Sequence, residues 1–154
     1  RRGVRPRFEI GWSLGAEALR AMQFMETSAD ASIAAVRREI TLPRIKQADP
    51  SAELEDGLNE VTAEIHGIRI GNIIFVGLPG EVLVELGLDL KRRAGVENLF
   101  LLSLANDSIG YICHEAAYDE GGYETERGTV LERGGGEKIV DTALEVITAL
   151  KTSS

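Results

Sequence analysis

From Glu9 to Met25 apolar residues recur every three or four positions, at Ile10, Leu14, Ala18, Met22 and Met25, the period of an amphipathic helix. Gly11 and Gly15 fall on that stripe, where they weaken an isolated helix but permit close packing against a neighbour. The period then drops to two: Ala34, Val36, Ile40 and Leu42 alternate with Ala35, Arg37, Glu39 and Thr41 up to Pro43, which predicts a half-buried strand. Arg44 to Asn59 is polar without a sustained period and reads as a loop, or a loop with one helical turn. Alternation resumes at Val61, Ala63 and Ile65, and the runs Ile68-Arg69-Ile70 and Ile73-Ile74-Phe75-Val76 flank Gly71-Asn72, a hairpin signal because glycine supplies the positive φ of a tight turn. Gly77-Leu78-Pro79-Gly80 breaks the strand. The spacing of Val82, Leu83, Leu86 and Leu90 then predicts a helix from Glu81 to Ala94, with Lys91, Arg92 and Arg93 at its negative end and Gly95 as stop signal. Leu99 to Leu104 is a continuous apolar run, which predicts a strand buried on both faces. Ile109 to Ile112 suits a short strand or turn, His114 to Tyr118 one or two helical turns, and Glu137 to Lys151 a closing helix with Ile139, Val140, Ala143, Ile147 and Leu150 on one face. The expected fold is α/β in the mixed α+β sense, a mixed sheet with an antiparallel hairpin, covered by helices. No repeat or linker divides the chain, so residues 1–154 are read as one segment.

With 154 residues and 44% of them hydrophobic, the chain can bury about two-thirds of its unfolded surface without a disulfide or metal staple. It carries 17 Lys+Arg against 25 Asp+Glu, a net charge of −8, and no basic stripe interleaved with aromatics. That balance argues against nucleic acid, and against an anionic membrane surface as the main partner. Cys113 is the single cysteine and can form neither an internal disulfide nor a cysteine-based zinc site alone. No apolar run approaches the roughly 20 residues that span a bilayer, and the start lacks a signal-peptide core. The localisation stays unspecified. The opening Arg1-Arg2-Gly3-Val4-Arg5-Pro6-Arg7 lacks an initiator Met, which suggests a processed chain or the continuation of something longer.

Two positions stand where α/β proteins place ligands, just beyond a strand. Glu81 follows a strand and a Pro-Gly turn; its carboxylate is either a functional group or a helix-start acid favoured by the macrodipole. Tyr111 lies in Ala105-Asn106-Asp107-Ser108-Ile109-Gly110-Tyr111, where small polar residues leave room for a ligand or form a simple turn with the Tyr111 ring over the core. His66 and His114, the only imidazoles, have no metal-ligand spacing between them and read as strand-flank or surface residues. A hydrolytic zinc site usually takes three protein ligands and a water, more than two unpaired histidines supply. Gly134-Gly135-Gly136 can cradle a phosphate on backbone amides, but without a following Lys-Ser/Thr pair a turn into the last helix is the simpler reading. No catalytic nucleophile or Ser/His/Asp set is visible.

The order Gly67-Ile68-Arg69-Ile70-Gly71, Gly77-Leu78-Pro79-Gly80-Glu81, Leu104-Ala105-Asn106 with Gly110-Tyr111, then Glu115-Ala116-Ala117-Tyr118 and Gly121-Gly122-Tyr123-Glu124 resembles the carboxy-terminal part of the catalytic domain of neutral/alkaline ceramidases. The resemblance runs from about Arg7 to Leu150 and is strongest between Ile68 and Glu124. It implies that Glu81 and Tyr111 are zinc ligands and that two histidine ligands, well upstream in the family, have no counterpart here. The implied chemistry is zinc-assisted hydrolysis of an N-acyl amide, a ceramide-like lipid, to a fatty acid and a long-chain amine. Departures are Asp107-Ser108-Ile109, where the family often carries an aromatic residue, and a shorter spacing from Glu81 to Tyr111. The expected partner is the upstream histidine-bearing segment of the same catalytic domain, or else a second copy of the chain, and Zn2+ is expected only when those histidines are present. The rival reading is a non-catalytic α/β binding or assembly domain that keeps the fold.

Overall fold

The computed structural model describes residues 7–27, 29, 31–45 and 59–152. It divides into two units, Arg1–Ala31 and Ser32–Ser154. The first contains α1 (Arg7–Met22), two residues earlier at its start and three shorter at its end than the periodicity predicts. Its polar side carries the Glu17–Arg20 pair, one turn apart, with Arg20 Nε and Nη2 donating bidentately to the Glu17 carboxylate. Helix α1 buries none of its residues.

The second unit begins with β1 (Ile33–Pro43), which pairs antiparallel with β2 (Glu60–Ile70) in the register Ile33↔Ile70 to Pro43↔Glu60. Of the loop expected over Arg44–Asn59, residues 46–58 lie outside the described residues. The predicted hairpin is present: β2 turns through Gly71, at φ +59°, into β3 (Ile73–Gly77). The next element corrects the sequence reading. Glu81 does not open a helix; Glu81–Val82 is a short strand, β4, and the helix α2 runs Val84–Ala94. Backbone pairing outranks helical periodicity here, since the Glu81 N–H donates to Gly110 O (2.9 Å) and the Leu83 N–H to Ile112 O (3.1 Å). Leu83 consequently stays extended, and the first-turn acid of α2 is Glu85. The expected stop is correct: Gly95 adopts φ +58° and its N–H caps Lys91 O.

Strand β5 (Leu99–Leu102) lies parallel to β3, and β6 (Tyr111–Ile112) parallel to β4. The sheets are thus β1-β2-β3-β5 and β4-β6, a mixed α/β arrangement as expected. The run Leu99–Leu104 is not buried on both faces. As the outer strand, β5 buries Leu99 while Phe100, Leu102 and Leu104 stay about half exposed. A one-turn helix α3 (Ala117–Glu120) and a π-helical turn at Glu124–Gly128 lead to α4 (Gly135–Thr152).

Helix α4 covers one face of the large sheet and also packs on α2. Its Ile139, Ala143, Val146, Ile147 and Leu150 meet Leu42, Ala63, Ile65, Ile74, Val76 and Leu90 in one core. Contact is close because β2 offers Gly67 beneath Val146 and Leu150; a Cβ there would strike both side chains. Gly135 and Gly136, weighed above as a phosphate cradle, are buried instead, Gly136 directly against the Cys113 carbonyl.

Candidate functional site

Strands β4 and β6 bring the two predicted residues opposite one another, with Glu81↔Tyr111 as register partners. The loop 104–110 is folded back on the Leu78-Pro79-Gly80 turn by three main-chain bonds, Ala105 N–H to Leu78 O (3.0 Å), Ile109 N–H to Pro79 O (2.8 Å) and Leu104 N–H to Gly80 O (3.0 Å). Two glycines make this approach possible. A Cβ on Gly80 would strike Gly110 O, and one on Gly110, itself at φ +83°, would strike Gly128 O. Asn106 sits at φ +70° and Leu104 at φ +54°, a conformation asparagine tolerates and leucine adopts rarely.

The Glu81 carboxylate beside Tyr111 raises the phenol above its ordinary pKa, with burial and Glu124 adding to the effect. The physical cause is plain: removing the phenol proton would set a second negative charge beside the first. The ring of Tyr111 packs edge-on against Tyr123 (centroids 6.1 Å, interplanar angle 88°) and lies over Gly128. Glu124 also faces the buried Cys113, whose thiol is pushed up to about 11, chiefly by burial.

Beside this pair a polar cavity of about 200 Å³ is bounded by Leu83, Glu85, His114, Glu120, Glu124 and Thr125. His114 Nδ1 accepts from the Ala117 N–H (3.3 Å), so its Nε2 is the edge turned to Glu85, 3.7 Å away. His66 lies elsewhere, on β2, with Nε2 2.5 Å from Glu64. Glu64 is held below the usual carboxylate range by that contact first. The strand-flank reading of His66 therefore describes it. Tyr123, Glu124 and His114 were not singled out as site residues by sequence, although Tyr123 and Glu124 close the Gly121-Gly122-Tyr123-Glu124 motif of the resemblance.

The donor set fits part of a metal centre. One carboxylate and one phenol stand as register partners, and a divalent cation bound by both oxygens would displace the phenol proton. Among the described residues, however, no group of three or more His, Cys, Asp or Glu could hold a metal ion. The pair supplies two donors where a zinc site takes four.

No protein-family profile matches the sequence, and no curated protein does. Solved structures do match in fold. Neutral ceramidase from Pseudomonas aeruginosa superposes on 59% of this chain with a TM-score of 0.55 and 20% identity. A structure described as ceramidase complexed with C2 superposes on 60% with a TM-score of 0.52 and 20% identity. The chain spans about 15% of the length of each. At this identity the likeness is one of fold: the chain has a ceramidase-like fold.

Proposed function

We propose that this chain forms part of a ceramidase-like, zinc-dependent amidohydrolase, with Glu81 and Tyr111 as two oxygen ligands of the metal. The observation that carries the reading is the Glu81–Tyr111 pair, set side by side by two short parallel strands so that the carboxylate raises the phenol pKa. The fold likeness to neutral ceramidases supports the reaction class. The substrate class is an N-acyl amide of the ceramide type. The histidine ligands come from a separate segment of a longer catalytic unit, because His66 is engaged by Glu64 and, among the described residues, no group of three or more His, Cys, Asp or Glu is placed to hold a metal.

A bound zinc ion supplies Lewis acidity and lowers the pKa of its water to about 7. The chain's own residues fix the oxygens that would hold it. Main-chain bonds from Glu81 and Leu83 immobilise β4 against β6, and Tyr123 and Gly128 set the plane of the Tyr111 ring. Losing the phenol proton turns the pair into a donor set of higher negative charge, which a nearby cation would stabilise.

Elemental analysis after dialysis against chelator tests the reading. The 154-residue chain alone should retain well under one zinc, and co-expression with a histidine-bearing ceramidase-like segment should raise zinc toward one per complex. Glu81→Gln and Tyr111→Phe should each abolish the gain and the amidase activity together. Full zinc retention by either variant in the complex would exclude that residue as a ligand.

A further inference from the structure

The polar cavity between α2 and α3, of about 200 Å³, is charged in one sense only. Its lining carries the carboxylates of Glu85 on α2, Glu120 on α3 and Glu124 on the π-helical turn, with Thr125 as a neutral polar group and no Lys or Arg. His114 is the one wall residue that becomes positive, and an imidazole changes charge between about pH 5 and 8. The other ionisable groups of the segment do not compete for that role. Glu115 is exposed, Asp119 is paired with Arg133 (2.9 Å), and Glu137 of α4 accepts from the Glu115 N–H (2.8 Å). Cys113, pushed up to about 11, stays a thiol over that range, and Tyr118, raised chiefly by burial, stays a phenol.

The ring is held in a way that only its neutral form permits. Nδ1 accepts from the Ala117 N–H (3.3 Å), so it carries no proton, and the single proton of the neutral ring sits on Nε2. Both nitrogens donate once the ring is charged. Nδ1–H would then point at an N–H, donor against donor, while Glu85 stands 3.7 Å from Nε2, too far for a hydrogen bond from the present position. Departure of the ring costs the main chain little, because the Ala117 N–H also donates to His114 O (3.1 Å). The cavity supplies the space into which the ring can turn, and three carboxylates around that space favour the charged form.

We propose that His114 is a pH-operated latch on this cavity. Neutral, it rests on the Ala117 N–H and leaves the cavity open and anionic; protonated, it swings off that N–H and closes the cavity as the counter-cation of Glu85, Glu120 and Glu124. The inference goes beyond the metal-site reading and does not depend on it, since His114 is no proposed ligand and lies three residues past Tyr111.

Nuclear magnetic resonance of the 154-residue chain in chelator, from pH 8 to about pH 5.5, tests the latch whatever the zinc measurements give. At pH 8 the His114 Nε2 should carry the proton, and the ring Hε1 should show a nuclear Overhauser contact to the Ala117 amide. Once the ring shifts show it charged, that contact should vanish and contacts to the Leu83 and Thr125 methyls should replace it, with His66, held on Glu64, as internal reference. Glu85→Gln should move the midpoint of the exchange about 0.3 pH unit or more toward acid, because one attracting charge is gone. His114→Gln, which keeps an acceptor and cannot charge, should hold the Ala117 amide shift constant across the range. A proton on Nδ1 at pH 8, an Ala117 contact that survives full protonation of the ring, an unmoved midpoint in Glu85→Gln, or an Ala117 shift that titrates equally in His114→Gln would each overturn the proposal.

Discussion

Two glycines close in sequence carry opposite physical obligations. Gly80 is pressed against a carbonyl oxygen that cannot rotate away, so Gly80→Ala should lower unfolding stability in urea by about 1–3 kcal/mol, as overpacked sites do. Gly87 has room, so Gly87→Ala should raise stability by up to about 1 kcal/mol through helix propensity alone. Identical effects of the two substitutions would mean that the close approach of the Leu78-Pro79-Gly80 turn to Gly110 is wrong. Cys113 offers an independent check at the same scale. Its thiol is fully buried and pushed up to about 11, and the reactive thiolate is therefore scarce near neutral pH. Reaction with a disulfide reagent at pH 8 should be slow in the native chain and rapid in denaturant; a fast native reaction would place the sulfur at the surface.

Helix α4 is held on the sheet by shape. Val146 and Leu150 sit directly over the backbone of β2 at Gly67, and near its end Arg69 Nε donates to Leu150 O (3.0 Å). Lys151 Nζ donates to Ala94 O (2.7 Å), tying the last turns of α4 and α2 together. Gly67→Ala should cost about 1–3 kcal/mol in the native background and measurably less in a Val146→Ala background, because the shortened side chain makes room for the new methyl. Additive costs in that double-mutant cycle would show that the two residues do not touch.

Within the unit Ser32–Ser154, α4 covers only one face of the large sheet. The other face presents Ile33, Ile68, Ile70 and Phe100 at 40–72% exposure, with Phe75 and Phe100 stacked at 5.3 Å. These side chains are contiguous through the registers Ala35↔Ile68, Ile68↔Phe75 and Phe75↔Phe100. We propose that another polypeptide covers this apolar sheet face. Sedimentation of the pure chain should reveal concentration-dependent association, and Ile68→Lys with Phe100→Lys should abolish it without moving the unfolding midpoint. A native chain that stays monomeric at high concentration would argue for a self-sufficient domain, and so for the non-catalytic alternative.

Local periodicity by itself determined α1, the β2–β3 hairpin at Gly71-Asn72, the end of α2 at Gly95 and the closing helix, since each depends on neighbours a few positions away. Their place just beyond a strand drew attention to Glu81 and Tyr111, while their role as ligands came only from the family resemblance. Periodicity could not put Glu81 in a strand, because the partner of that strand is the Gly110–Ile112 segment, and helical spacing from Val82 onward reads the same whichever conformation Glu81 adopts. Nor could it tell that Leu99–Leu104 lies at an outer strand. A run of apolar residues looks alike with cover on one face or two, and only strand order decides which applies. Tertiary structure likewise set the Tyr123 ring edge-on to Tyr111 and placed Gly87 opposite Leu101. Pairing across long stretches of chain sets those positions, and no local pattern records it.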